Sequence, residues 1–427
     1  MMKVLSKPLL YGAISLLFTT VNFSAGWSQE VIDHSEKYSH PFQNGFVATL
    51  SSICNKPKTK EKNMIVPVEQ WEMPVESLLN GPLPLRVGLQ QDDQGNKIKA
   101  PVLFYIPGAF SNLKNGQSRQ WMDEGTRLGY HVISPPNPWG TDYVGLKPKA
   151  MLGDVEEEAK SIYSAFRQAI TRLDKDGLVD HSKIRIAGVS AGSFLTAIIS
   201  ALDAKNDSPI GFYDSTILSA PFNFGRTLDR LDQVVLESKE PFMGMSLVSV
   251  LLRYKSFCKA EKKNELTEKH YETAQGLTVY QGFHSELIKS IKVFDKVNNL
   301  NSIPGGVLGS LSPKYKKWKR SMNFHKFFDV YAPETKVKLV GKYGDLLYWI
   351  NQAKKSGYDH FRVINCEDDF LNADALWNAY AKRGKDIILL EDGGHYGFRH
   401  LPWFKEFFQV AYSLNSKTEN FNSLYKK

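Results

Sequence analysis

Cysteine is scarce in this sequence: Cys54, Cys258 and Cys366 are the only three in 427 residues. So few cannot build a disulfide framework; at most one bridge, between Cys54 and Cys258, is open to the chain in an oxidising compartment, leaving Cys366 free. No paired Cys or His stands at the spacing of a zinc site, so no metal centre is expected. No apolar run reaches the ~20 residues that a membrane-spanning helix needs. No internal repeat is present, which sets aside solenoid and propeller arrays.

What is present in quantity is ordinary. The chain is 42% hydrophobic and 23% charged, the balance of a globular protein. Its length allows two or three domains, or one large α/β domain carrying an insertion. The net charge of +9 favours acidic surfaces or polyanions without naming a chemistry. The amino terminus says more. Lys3 and Lys7 precede an apolar run from Leu9 to Val21, and small residues follow from Ala25 to Ser28. That is the order of a charged segment, a ~7–15-residue apolar segment and a cleavage zone. A cleaved export signal over residues 1–28 is the expectation, giving a periplasmic or secreted protein; an uncleaved membrane anchor is the alternative. No cysteine lies at the cleavage zone, which argues against a lipoprotein signal.

Residues 29–82 are polar and irregular, with the lysine-rich KPKTKEKN, and read as an arm plus an edge strand near IVPVEQW. From residue 83 short apolar runs alternate with longer helical stretches. LRVGL, VLFYI (102–106), HVIS (131–134), IRIA (184–187) and TILSA (216–220) are strand candidates; 117–128, 156–173 and 192–203 are helix candidates. Continuous Val/Ile/Leu runs separated by helices predict a parallel sheet buried on both faces. The rhythm stops after Asn223. Residues 224–342 are helical and basic. It resumes over 343–415 with helix 344–355, strand FRVIN (361–365), helix 372–382, strand DIILLE (386–391) and helix 401–413. The division expected is a core in two parts, 83–223 and 343–415, interrupted by a cap, with a tail over 416–427.

Between IRIA and the helix SFLTAIISAL lies GVSAG, residues 188–192. A serine at this handover is held on a sharp turn at the carboxyl end of the sheet and at a helix amino terminus. Gly188 and Gly192 remove side chains that would collide with the neighbouring strand and helix. The Ala191 N–H is placed to meet a developing oxyanion. Ser190 is therefore the candidate nucleophile; the competing reading is a glycine-rich turn with a packing serine, and Ser193 is the weaker candidate. A nucleophilic serine needs a base, and the base an orienting acid. After FRVIN comes CEDDF, with Glu367, Asp368 and Asp369 at a strand end. After DIILLE comes DGGHYGF, placing His395 in a glycine-flanked loop at the same rim. The acid and the base follow the serine in the order Ser, Asp, His.

With GVSAG, NCEDDF and GGHYGF in place, the chain resembles the α/β-hydrolase superfamily, and more narrowly the branch of embryogenesis-associated-type esterases. The resemblance spans residues 84–223 and 343–413. It implies an α/β-hydrolase sheet, mostly parallel, flanked by helices and carrying a helical cap. It also implies a serine carboxyl-ester hydrolase that needs no metal or cofactor. By that analogy the acid is the first of the pair, Asp368, with the apolar Leu371 three positions on; Asp369 is the fallback. The second oxyanion donor implied is the Ala109 N–H in IPGAFSN, with Phe110 as second choice. Two departures stand out: Pro107 where related enzymes carry His, and SPPNPWG (134–140) where they often show Asn-x-Arg-Gly. Trp139 there reads equally as an acyl-pocket wall or as a packed structural residue.

An apolar acyl chain is the substrate part expected, on the ground of an apolar, aromatic cap. A peptidase, amidase or acyltransferase would use the same triad, and a binding or scaffold protein could keep the fold without turnover. KYKKWKR (314–320) reads first as a solvated cap face with its aromatics packed inward, and otherwise as a contact for anionic lipid. SLVSVLLRY reads first as packing of the cap onto the sheet, and otherwise as a pocket wall or a membrane-facing element. Partners expected are a small-molecule ester or lipid, with peripheral membrane contact through the basic cap as a further option, and no nucleic acid.

Overall fold

The strands form where β-branched and aromatic residues run without interruption, because a strand covered by helices on both faces must be apolar on both. In the computed structural model, which describes residues 38–55, 63–75, 77–238, 242, 245–304, 312–372 and 387–414, eight strands make one sheet. They are β1 (Val68–Met73), β2 (Leu83–Gly88), β3 (Val102–Ile106), β4 (His131–Ser134), β5 (Arg185–Val189), β6 (Asp214–Leu218), β7 (Phe361–Cys366) and β8 (Ile387–Leu390). Their order across the sheet is β1-β2-β4-β3-β5-β6-β7-β8. The pairs β1–β2 and β2–β4 are antiparallel and the rest parallel. This is the mostly parallel, helix-flanked sheet of an α/β-hydrolase fold.

Among the described residues the longer α-helices are α1 (Gly45–Cys54), α2 (Gly116–Arg127), α3 (Val155–Lys175), α4 (Ala191–Ala204), α5 (Phe224–Ser238), α6 (Leu247–Lys262), α7 (Glu268–Gln275), α8 (Ser285–Val297), α9 (Pro313–Ser321), α10 (Phe324–Tyr331), α11 (Pro333–Val340), α12 (Leu346–Lys355) and α13 (Pro402–Tyr412). The strand period of two splits the core. Leu103 and Tyr105 of β3 meet Trp121 of α2 and Phe404 and Phe408 of α13 on one face. Phe104 and Ile106 meet α3 and α4 on the other, where Phe104 stacks on Phe166 with centroids 4.1 Å apart. Burying such a side chain contributes about 1.5–3 kcal/mol.

From β6 to β7 the described residues form helices. The Leu346 N–H donates to Phe222 O at 2.8 Å, and Asn223 pairs with Asp345 in an antiparallel bridge. The helical stretch therefore leaves and rejoins the sheet layer at one neck. Among the described residues no helix is long and apolar enough to cross a membrane.

The arm differs from its sequence reading: residues 45–54 are helical, not irregular. Asn44 caps α1, its side chain accepting from Phe46 and Val47 N–H, and Val47 and Leu50 are buried in the core. The sequence signal for it was an Asn cap ahead of the apolar GFVATL. The disulfide Cys54–Cys258 is present, joining the end of α1 to α6, and Cys366 is free and buried. The export signal 1–28, residues 373–382 of the helix expected over 372–382, the lysine-rich run before Asn63 and the tail 416–427 lie outside the described residues.

Candidate active site

Ser190 holds φ +58° and ψ −129° at the turn from β5 into α4, a left-handed conformation that a side chain tolerates only when its surroundings enforce it. Here they do. The Ser190 N–H donates to Leu218 O at 2.9 Å. A Cβ on Gly192 would stand 2.2 Å from Ile106 O, and one on Gly188 2.4 Å from Gly192 O. Only glycine lets the helix start this close to β3. Ser193 is fully buried, its hydroxyl taken by Gly188 O at 2.6 Å and Leu218 O at 2.7 Å. That side chain ties α4 to the strands.

His395 arrives from the loop after β8. Its Nε2 lies 2.8 Å from Ser190 Oγ and its Nδ1 lies 3.0 Å from Asp369 Oδ2 and 3.3 Å from Oδ1. A carboxylate only accepts, so Nδ1 carries the proton and Nε2 is left to accept from the serine. All three are buried, at 7% exposure for Ser190, 8% for His395 and 1% for Asp369.

The partner of the histidine is thus Asp369, and the expectation of Asp368 is corrected. Both residues follow β7 in a tight turn closed by the Asp369 N–H to Cys366 O bond at 3.2 Å. Within that turn Asp369 points at the imidazole, and its Oδ1 also accepts the Leu371 N–H at 3.0 Å. Asp368 points the other way, and its Oδ1 accepts the Gly394 N–H at 2.7 Å. Among the described residues its Oδ2 is buried without a hydrogen-bond partner. Burial raises its pKa to about 7, helped by the charges of Asp369 and Asp392 and opposed by the Gly394 and Gly393 N–H groups. Glu367 is exposed.

The two expected oxyanion donors flank the serine in the chain's layout. Ala191 opens α4, and Ala109 lies in the loop after β3 that packs on Ser190, since a Cβ on Gly108 would stand 3.2 Å from Ser190 Cβ. Asn137 Nδ2 donates to Pro107 O at 2.9 Å, and Phe110 takes φ +62°. An amide from SPPNPWG thus fixes the IPGAFSN loop. Trp139 is buried among Phe224, Phe324, Phe327 and Phe328, and its carbonyl accepts from Ser290 of α8 at 2.6 Å. It joins core to cap.

Sequence reading missed three side chains beside the histidine. Thr49 of α1 accepts the His395 N–H at 2.8 Å while donating to Gly45 O at 2.6 Å. Above the imidazole stand Phe370, with centroids 5.8 Å apart, and Phe283 at 6.2 Å. Phe283 also faces Phe110, at 6.4 Å. It projects from a π-helical stretch, Gly276–His284, a geometry no period in the sequence announces.

No protein-family model matches the chain, and no curated protein matches it. Among solved structures, an esterase of Pyrobaculum calidifontis is similar at 16% identity, covering 93% of each chain, with a TM-score of 0.40. Carboxyl esterase 2 of Tuber melanosporum is similar at 12% identity over 90% of this chain and 96% of that one, with a TM-score of 0.44. A thermostable esterase of Pseudomonas putida is similar at 14% identity over 92% and 97%, with a TM-score of 0.42. At such values the likeness adds nothing to the topology and the site geometry already described.

Proposed function

We propose that this protein is an exported serine hydrolase that cleaves a carboxyl ester with an apolar acyl part. One observation carries the reading: a continuous chain from Ser190 Oγ through the His395 ring to Asp369, at 2.8 and 3.0 Å, with the serine held on a left-handed turn at a helix start. A packing serine has no need of an oriented imidazole.

In the reaction Ser190 Oγ attacks the ester carbonyl carbon while its proton passes to His395 Nε2. Asp369 stays ionised, holds the tautomer and stabilises the imidazolium. The Ala191 and Ala109 N–H groups receive the oxyanion, and losing one such donor costs ~10²–10³ in rate. His395 then protonates the departing alkoxide, and water, deprotonated by the same ring, releases the acid. The rings of Phe283 and Phe370 near the imidazole, with Phe110 facing Phe283, support an apolar group beside the reacting carbon. Export is supported by the leader-like residues 1–28 and by the Cys54–Cys258 bond, which persists in oxidising compartments.

The test is labelling of the purified protein and its Ser190→Ala variant with a fluorophosphonate, followed by p-nitrophenyl esters of graded acyl length. Labelling lost in the variant and turnover that peaks at one chain length support the reading. An unmutated protein that neither labels nor turns over any ester ends it.

A further inference from the structure

Helix α6 is half packed and half bare. Phe257 is buried, and Val250, Tyr254 and Cys258 lie against the core, with Cys258 bonded to Cys54. Glu261, the one acidic residue of the helix, accepts from Ser51 Oγ at 2.9 Å and Asn55 Nδ2 at 2.8 Å, so it faces α1. The other side carries Val248, Leu251 and Leu252, exposed by 65%, 48% and 61%. Farther along come Lys255, Lys259 and Lys262, also exposed. Spacings of three and four put all six on one stripe. Among the described residues none of these three lysines makes an ion pair. SLVSVLLRY, expected to pack the cap onto the sheet, instead packs by one side of the helix against α1 and the core residues around it, and its other side is bare.

A stripe with an apolar first half and an unneutralised cationic second half needs an occupant that offers hydrocarbon and negative charge side by side. A second copy of this chain brings the same lysines and no acid on that face. A bilayer containing anionic lipid brings both: an acyl layer for Val248, Leu251 and Leu252, and headgroup phosphates for the lysines, whose stems lie along the interface. The basic KYKKWKR helix α9 lacks the apolar half, because Tyr315 is buried and Trp318 packs against the core.

We propose that the exposed stripe of α6 is a docking surface for a bilayer rich in anionic lipid. The proposal does not depend on ester hydrolysis, because binding is read without turnover.

The experiment is flotation of the full chain with vesicles of phosphatidylcholine, alone or containing phosphatidylglycerol. Leu251→Asp with Leu252→Asp, and Lys255→Glu with Lys259→Glu, are compared with the unmutated chain. The apolar run Leu9–Val21 is common to all samples, so only differences between proteins report on α6. Expected are binding to the anionic vesicles that falls with salt, its loss in the leucine pair, and weakening on the order of 30-fold in the lysine pair. Equal flotation of all three proteins overturns the proposal, as does absence of binding or equal binding to neutral vesicles. A dimer in sedimentation velocity that the leucine variant abolishes, without flotation, assigns the stripe to a second copy instead. Unchanged melting temperature shows that the variants fold, and Leu252→Ser replaces any that does not. Failure of the catalytic reading would show separately, as missing fluorophosphonate labelling in the unmutated chain.

Discussion

The hydroxyl of Thr49 accepts the backbone N–H of His395 at 2.8 Å, across 346 positions of the chain. It thereby fixes the loop that aims the imidazole. A Cβ on Gly394, which has φ +58°, would strike Gly45 O at 2.0 Å, so α1 and the loop fit only in this register. Thr49→Val leaves a buried N–H unsatisfied, a cost of about 1–3 kcal/mol. If part of that cost appears as misaim of the ring, kcat falls about tenfold at nearly unchanged KM. Thr49→Ser restores it. Steady-state kinetics on both variants decide the matter: equal loss in the two, or a change in KM alone, removes Thr49 as a positioning residue.

The two aspartates separate cleanly under amide substitution. Asp369→Asn can no longer hold the Nδ1–H tautomer, and a loss of kcat on the order of 10⁴ is expected. Asp368→Asn keeps an oxygen for the Gly394 N–H and is expected to stay within a few-fold of the unmutated rate. Reversal of these two outcomes would restore the assignment made from the resemblance.

Asp368 also makes stability depend on pH. Its carboxyl titrates near 7 in the folded chain, against an ordinary 3.8, so between those values the native state binds the extra proton. Stability therefore falls as pH rises through that window. Glu158, buried and raised to about 8, slopes the same way. The difference between Asp368→Asn and the unmutated protein isolates the first group. Melting temperatures taken from about pH 4 to 8 should show the variant gaining on the parent as pH rises. A constant offset would mean that Asp368 is ionised throughout.

The strands and the three rim loops were legible because buried parallel strands must be apolar without a break, and because Ser190, CEDDF and His395 each follow one. Which aspartate meets the ring was not. The two are adjacent in one turn, and their directions are set by the Cys366 O bond and by the approach of Gly394, neither of which spacing reveals. Helix α1 was hidden for a related reason. Short, and set in a polar arm, it is stabilised by contacts more than 300 positions away in the chain, with Asp368 and the Gly394–Gly397 loop. The π-helical stretch bearing Phe283 has no compositional signature at all.

Gly192 gives a sharper test of the elbow than the serine itself. A methyl there would meet Ile106 O at 2.2 Å and Pro107 O at 2.4 Å, both backbone atoms with no rotamer to yield. Gly192→Ala should therefore push α4 off β3, costing about 1–3 kcal/mol of strain and displacing Ser190 from its ring. Expected is a lower melting temperature together with loss of most fluorophosphonate labelling. A variant that melts lower yet labels at the parental rate would mean that the serine's aim does not depend on this contact.

The Cys54–Cys258 bond closes a loop of 204 positions and ties α1 to α6. Chain-entropy arguments allow up to about 5 kcal/mol for such a loop, and α1 is the element that buttresses His395. Cys54→Ser with Cys258→Ser should therefore lower the melting temperature and also slow turnover, through α1 rather than through any reacting group. Reducing agent should do the same to the parent and nothing to the variant, Cys366 being buried. Adding Thr49→Val to the double variant should then cost less activity than it does in the parent, since a loosened α1 already aims the ring poorly. Full additivity of the two losses in kcat would mean that the bond stabilises the fold without bearing on the histidine.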